Sequence, residues 1–190
     1  MRVCQVTTVH GRYDTRIFLK ECRSLSRAGY DVTLVVADGR GNESKDGVHI
    51  VDIGNKPREK ISRMLFSLRV MRRALQKIDA EVFHFHDPEL LPVASAFAKA
   101  GRKVIYDSHE DLPRQLLAKD WAPRWLLRLI APLMEDYENG VARRISAVIA
   151  ATEGIRDRFS AIGANSSLVR NYPIAEEFAA HDAAGPVSGT

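Results

Sequence analysis

The feature that most restricts how this chain can fold is a repeated alternation between short β-branched apolar runs and segments with helical period. Arg2 to Val9, Val32 to Ala37, Val48 to Ile53, Glu81 to His86, Lys103 to Asp107, Ala147 to Ala151 and Ser167 to Arg170 all have strand length. Most are apolar on both faces, as strands buried between two layers must be. Between them run helical stripes. Phe18, Cys22 and Leu25 recur at i, i+4 and i+7 before Gly29. Ile61, Met64, Leu65, Leu68, Met71, Leu75 and Ile78 form a longer stripe expected to pack on a sheet. Asp87-Pro88 has the form of an N-cap followed by a first-turn proline, opening a helix that ends at Gly101. Leu112 to Ile145 reads as helix cut into two or three pieces by Pro113, Pro123 and Pro132, and Thr152 to Ile162 as a short helix closed by Gly163. Polar, glycine-containing residues from Asp38 to Gly47 predict a surface loop. The sum is a Rossmann-like α/β fold: a parallel sheet of about seven strands with helices on both faces.

With 190 residues and 45% hydrophobic content, one core and one domain over residues 1–174 are expected. Residues 175–190 turn to Ala, Gly, Glu, Ser and Pro without periodicity and read as a linker or frayed tail. The net charge of +4 is mild, and the basic stretch from Arg58 to Lys77 lacks interleaved aromatics, so nucleic acid is not an expected partner. Cys4 and Cys22 have neither metal-knuckle nor disulfide spacing, the N-terminus lacks a signal-peptide pattern, and no apolar run approaches about 18 residues. A cytoplasmic location without a membrane span is the expectation.

Ligands of open α/β sheets lie beyond the carboxyl ends of the strands. His10, His84, His86 and His109 fall at or near such ends, accompanied by Asp14, Asp87, Glu89, Asp107, Glu110 and Arg114. Each has a structural alternative. Asp87 and Asp14 have the position of helix caps. His84 and His86 share one strand face, where either is a hydrogen-bonded core residue or a contact. Arg16 is either a solvated helix charge or an anion contact. His109, in a loop between Asp107 and Glu110, is poorly explained by packing alone. A single glycine, Gly11, follows the first strand, so the GxGxxG fingerprint of dinucleotide-binding oxidoreductases is missing; a P-loop and a GxSxG elbow are absent too.

The segments HGRYDTRIFLKECRSLSRAGYDVTLV, VFHFHDPELLP, KVIYDSHEDLPRQLL, AVIAAT and VRNYP, in that order, resemble the N-terminal domain of GT-B glycosyltransferases of the retaining group called family 4. The resemblance spans Arg2 to about Pro173. It implies an acceptor-binding domain facing a second, donor-binding domain across a cleft, with a nucleotide-sugar as donor substrate, no other cofactor and no metal. It implies a catalytic role for His109 near the reacting sugar, and substrate contacts by Gly11, Asp14, Arg16, His84, His86, Asp87, Glu89, Asp107, Glu110 and Arg114. The partners it implies are the missing C-terminal donor domain and a glycan or lipid-linked acceptor; the chain alone is expected to be inactive.

Between 114 and 133, Leu116, Leu117, Trp121, Trp125, Leu126, Leu129, Ile130 and Leu133 alternate with Arg114, Lys119, Arg124 and Arg128. That pattern suits a peripheral contact with the inner face of a membrane, or, as Trp and Leu stripes more commonly do, packing on the sheet or over a domain interface. Two rival functions stay open: a metal-dependent hydrolase using the His-x-His pair, and a carbohydrate-binding module without turnover.

Overall fold

Strand and helix positions follow the local rules above; their lateral order is set by the sheet. The computed structural model describes residues 1–56, 62, 65, 67–110, 114 and 123–173. β1 (Arg2–Val6) leads to α1, which opens with π-type hydrogen bonding over Thr15–Cys22 and continues as α-helix over Arg23–Arg27. β2 (Asp31–Val36), β3 (Glu43–Lys45) and β4 (Val48–Asp52) follow. α2 joins Ser67–Met71 to Arg72–Leu75, β5 is Val82–Phe85, and α3 is a short 3-10 turn, Pro88–Leu90, running into Leu91–Lys99. Then come β6 (Lys103–Ser108), α4 (Arg124–Ala142), β7 (Ala147–Ala150), α5 (Glu153–Ala161) and β8 (Ser166–Leu168).

The sheet order is β3-β4-β2-β1-β5-β6-β7-β8, parallel throughout except for the β3–β4 hairpin. It has eight strands where about seven were expected, because β3 lies inside the predicted loop. That strand is three polar residues at an edge, too short for any periodicity to show. Its turn was legible, however: Asp46-Gly47, with φ of 51° and 75°, is the two-residue hairpin sequence that tolerates two positive φ values.

Alternation divides the sheet into two unlike faces. One carries Cys4, Val6, Phe83, Phe85, Val104, Tyr106, Val148 and Ala150, covered by Met71 and Leu75 of α2, Phe97 of α3, Val141 of α4 and Phe159 of α5. On the other, Ile17, Phe18 and Cys22 of α1 cover Val32, Leu34, Val36, Val48 and Ile50, while Val3, Val82, Ile105 and Ile149 line an open groove beside them. Beneath the first face, Glu138 of α4 accepts the Tyr106 hydroxyl at 3.1 Å and Arg158 of α5 at 2.7 Å, locking two helices to β6.

Several expectations change. Leu65, placed on the buried stripe, is half exposed, whereas Met71 and Leu75 are fully buried; Ile61 and Met64 lie outside the described residues, as do Pro113 and the tail 175–190. Pro123 precedes α4, but Pro132 does not break it. Proline forfeits one backbone hydrogen bond, and Pro132 faces solvent, where water can take the freed carbonyl.

Asp87 sits at the N-cap position of α3 yet makes no side-chain hydrogen bond to that helix. Its Oδ2 instead accepts from the Thr7 hydroxyl (2.9 Å), the Thr8 amide (2.5 Å) and hydroxyl (3.2 Å), and the Val9 amide (3.1 Å), tethering the loop after β1 to the end of β5. The loop amides have no other backbone to pair with, so they take the nearest buried carboxylate. Asp87→Ala would leave these buried donors unmet, and a loss of about 3 kcal/mol is expected in denaturant melts. Asp87→Asn, which keeps an acceptor oxygen, should recover much of it.

Candidate functional site

The polar half of the second face lies under α1 at the carboxyl ends of β1, β5 and β6. In register, Gln5 pairs with His84, and His84 with Ile105. Period-two alternation therefore puts Gln5, His84, His86 and Asp107 on one face, and α1 brings Arg16 and Glu21 down onto them. Asp107 is the hub. Arg16 Nε and Nη2 donate to its two oxygens at 2.7 Å each, and His86 Nδ1 stands 3.2 Å from Oδ2. His86 Nε2 meets Gln5 Oε1 at 2.6 Å, and the His84 and His86 rings lie 4.5 Å apart.

Burial opposes ionisation of Asp107, but its contacts with His109, His86 and Arg16 outweigh that and hold it well below the usual carboxylate range. Glu21 goes the other way. Its Oε1 is 3.3 Å from Arg16 Nε, whose N–H is directed at Asp107, and both Glu21 oxygens lack a hydrogen bond. Burial first, and the Asp107 charge next, push its carboxyl up to about 7 against the pull of Arg16 and His86. His84 is pushed down to about 3, by burial and then by His86, and is neutral.

An outer tier borders the inner one. His109, one-fifth exposed, has Nδ1 3.7 Å from Asp107 Oδ2, an electrostatic contact longer than a hydrogen bond, and Asp107 raises its pKa. The His10 ring lies edge-on to His109 at 5.3 Å. Asp14 caps α1 by accepting the Arg16 and Ile17 amides with Oδ1, and pairs with His10 Nδ1 through Oδ2 at 3.1 Å. The His10 contact raises that imidazole's pKa and lowers the Asp14 carboxyl to about 2. The loop carrying these groups is braced by Arg12, which is buried and binds Asp38 at 2.6 and 2.8 Å and Glu43 at 2.9 Å.

The sequence candidates thus separate. Asp14, Arg16, His86, Asp107 and His109, together with His10, converge. Asp14 is both a cap and a member of the cluster, and Arg16 is an ion-pair partner rather than a solvated charge. His84 is buried within β5, a core histidine rather than a rim group. Asp87 is a buried tether, and Glu89 accepts the Thr8 hydroxyl at 2.7 Å. Gly11 and Glu110 are exposed at the rim; the Gly11 carbonyl accepts the Asp14 amide, and an added methyl there would meet nothing. Arg114 is exposed, and its chain neighbours lie outside the described residues.

Gln5, Arg12 and Glu21 escaped the sequence reading. On an α-helical wheel, positions 16 and 21 stand roughly 140° apart, whereas in a π-type turn five residues make about one revolution and bring both to the same side. A polar Gln at a central position of an otherwise apolar first strand was the available signal for Gln5.

Among the described residues, ligating atoms of Glu21, His84, His86 and Asp107 all lie within 4.8 Å of one another, the grouping closest to a metal-ligand set. The Arg16 guanidinium already lies between its two carboxylates.

Solved structures share this architecture at low identity. Sucrose-phosphate synthase from Thermosynechococcus elongatus matches with a TM-score of 0.63 and 14% identity, over 95% of this chain and 52% of that one. The α,α-trehalose 6-phosphate synthase from Burkholderia multivorans matches with a TM-score of 0.55 and 14% identity, over 84% and 41%. The chain therefore spans about half the length of the sucrose-phosphate synthase, and at this identity the likeness is one of fold. No curated protein matches it. The fold is that of a Rossmann-like domain of the GT-B glycosyltransferase type. More narrowly, the chain belongs to the glycosyl transferase 4-like domain family, whose model matches residues 15–173.

Because the Glu21 carboxyl is raised, its protonated form favours the fold: the benefit is full below about pH 4.5, where the unfolded chain is protonated too, and fades as pH rises through about 7. Glu21→Gln should be close to neutral near pH 4.5 and stabilising by roughly 2 kcal/mol at pH 8. Urea melts at the two pH values check this, and equal effects at both would contradict it.

Proposed function

We propose that this domain is the acceptor-side lobe of a retaining GT-B glycosyltransferase, which moves a sugar from a nucleotide-sugar donor to a glycan or lipid-linked acceptor. The observation that carries the reading is the buried Arg16–Asp107 pair with His109 against it. A fixed, ionised carboxylate stands behind an imidazole that is itself partly open to solvent at the strand ends. Family membership supports the reaction class.

In this mechanism Arg16 and His86 hold Asp107 ionised, and Asp107 orients His109 and favours its imidazolium. His109 then presents positive charge toward the cleft, where it steadies the donor sugar and the negative charge that develops as the leaving phosphate departs. Asp14 keeps His10 beside it, so the outer tier is a preorganised cationic edge rather than a proton relay. The donor is held by a second Rossmann-like lobe across the cleft, and turnover requires both lobes. Room for one exists in the twofold greater length of the sucrose-phosphate synthase that this chain matches.

Transfer is proposed to need no metal. Arg16 supplies a permanent cation 2.7 Å from Asp107 and 3.3 Å from Glu21, and a divalent ion on those carboxylates would share them with the guanidinium. The hydrolase alternative rests on the His84–His86 pair, beside which Asp107 and Glu21 lie, and elemental analysis separates the two: stoichiometric zinc, iron or manganese in purified protein would favour the hydrolase.

In a polypeptide carrying both lobes, His109→Ala should lower kcat by about 10²-fold with the thermal melt unchanged; undiminished turnover would remove His109 from the mechanism. Because Asp107 raises the His109 pKa, activity should fall as pH rises through that raised value. Asp107→Asn should move this descending limb of the pH–rate profile to lower pH, which a merely structural role for Asp107 would not do.

A further inference from the structure

The first three turns of α4 show a face that neither the core nor the transfer site uses. Trp125, Leu129 and Leu133, spaced at i, i+4 and i+8, are 69%, 63% and 65% exposed, while Leu127 and Ala131 on the opposite side are buried. Soluble helices bury such a stripe; here the wrong side for the core carries it. Arg128 stands at one edge of the stripe, with Arg124 one turn earlier and further round toward Ala131, both exposed. Their position is electrostatically unfavourable for the helix itself, because the first turns of α4 contain no acidic residue and arginines there oppose the positive end of the helix dipole.

Sequence around the helix adds to this. Residues 114–133 contain Arg114, Lys119, Arg124 and Arg128 against a single acid, Asp120, and hold both tryptophans of the chain, Trp121 and Trp125. Apolar residues with interfacial tryptophan and a basic border are the composition of a helix lying on an anionic bilayer. No described helix is long and apolar enough to cross a membrane, so the contact would be peripheral.

Topology places the face relative to the site. α4 connects the carboxyl end of β6 to the amino end of β7, and these strands are parallel. It must therefore run antiparallel to them, with its N-terminus on the same sheet edge as His109 and its solvent side directed away from the sheet face that holds Asp107.

We propose that Trp125, Leu129 and Leu133, bordered by Arg128, dock this domain on an anionic lipid surface. The docking surface does not rest on the proposed transferase role, and it is tested without any sugar donor.

The test is co-sedimentation of the whole chain with phosphatidylglycerol–phosphatidylcholine vesicles and with pure phosphatidylcholine vesicles. Binding is expected to the anionic vesicles at low salt and to weaken as salt is raised. Arg124→Gln with Arg128→Gln should lower the partition coefficient by roughly 10-fold or more, and Leu129→Ser with Leu133→Ser by about 10-fold. Both arginines are exposed, so their variant remains informative even where the leucine variant folds poorly; circular dichroism checks both. Failure of the unaltered chain to bind anionic vesicles would overturn the proposal, as would undiminished binding by both variants. A dimer that Leu129→Glu dissociates, seen in sedimentation velocity together with no vesicle binding, would assign the face to a second copy of the chain instead.

Discussion

The site depends on a bidentate ion pair closed between residues 91 positions apart, Arg16 of α1 and Asp107 of β6. Buried pairs of this kind contribute little net stability compared with apolar residues of similar volume, since desolvating both charges offsets most of their attraction. What they do supply is geometry, because either partner alone would be an uncompensated charge in the interior. Arg16 therefore fixes α1 over the second face of the sheet at one height and one rotation. Asp107 in turn is pinned with its oxygens toward Arg16 and its flank toward His86 and His109. The π-type winding of α1 belongs to the same constraint: it keeps Arg16 over Asp107 while Ile17, Phe18 and Cys22 stay buried against β2 and β4.

This arrangement gives the two faces of the sheet different work. One face is apolar, covered by four of the five described helices, and ties α4 and α5 to β6 through Tyr106, Glu138 and Arg158. It carries the stability. The other face gives up part of its apolar cover to hold Gln5, His84, His86, Asp107 and Glu21, so that a rim imidazole stands over a charge of known sign. Asp87 and Arg12 extend the same logic to the loop after β1, each satisfying a group of partners that would otherwise be solvated and mobile. Loops at the carboxyl edge of an α/β sheet carry function on a rigid scaffold, and here such contacts hold the loop in place.

How far the sequence could be read depended on the range of the interaction involved. Seven strands and the main helices follow from periodicity, and the cluster at the strand ends follows from their order. The caps at Asp14 and Thr152 follow from local chemistry as well. Asp87 shows the limit: its local context specifies a cap, and its side chain instead bonds to residues about 80 positions earlier, which the closing of the sheet brings beside it. Glu21 was missed because the wheel assumed α-helical winding, and β3 because an edge strand of three polar residues has no period to detect. Trp125, Leu129 and Leu133 have the spacing of a core stripe, and only the packing of Leu127 and Ala131 showed which side of α4 faces inward.

By itself, the sequence determined which segments become strands and helices, that the sheet is parallel and covered, and which titratable groups reach one edge, since all of these are written in spacing and alternation along the chain. Tertiary structure alone decided which charges pair, which histidine is buried and which is open, and which helix face is left to solvent. The physical reason is that protonation and pairing depend on desolvation and on distances between residues remote in sequence, quantities that exist only once the chain has closed on itself.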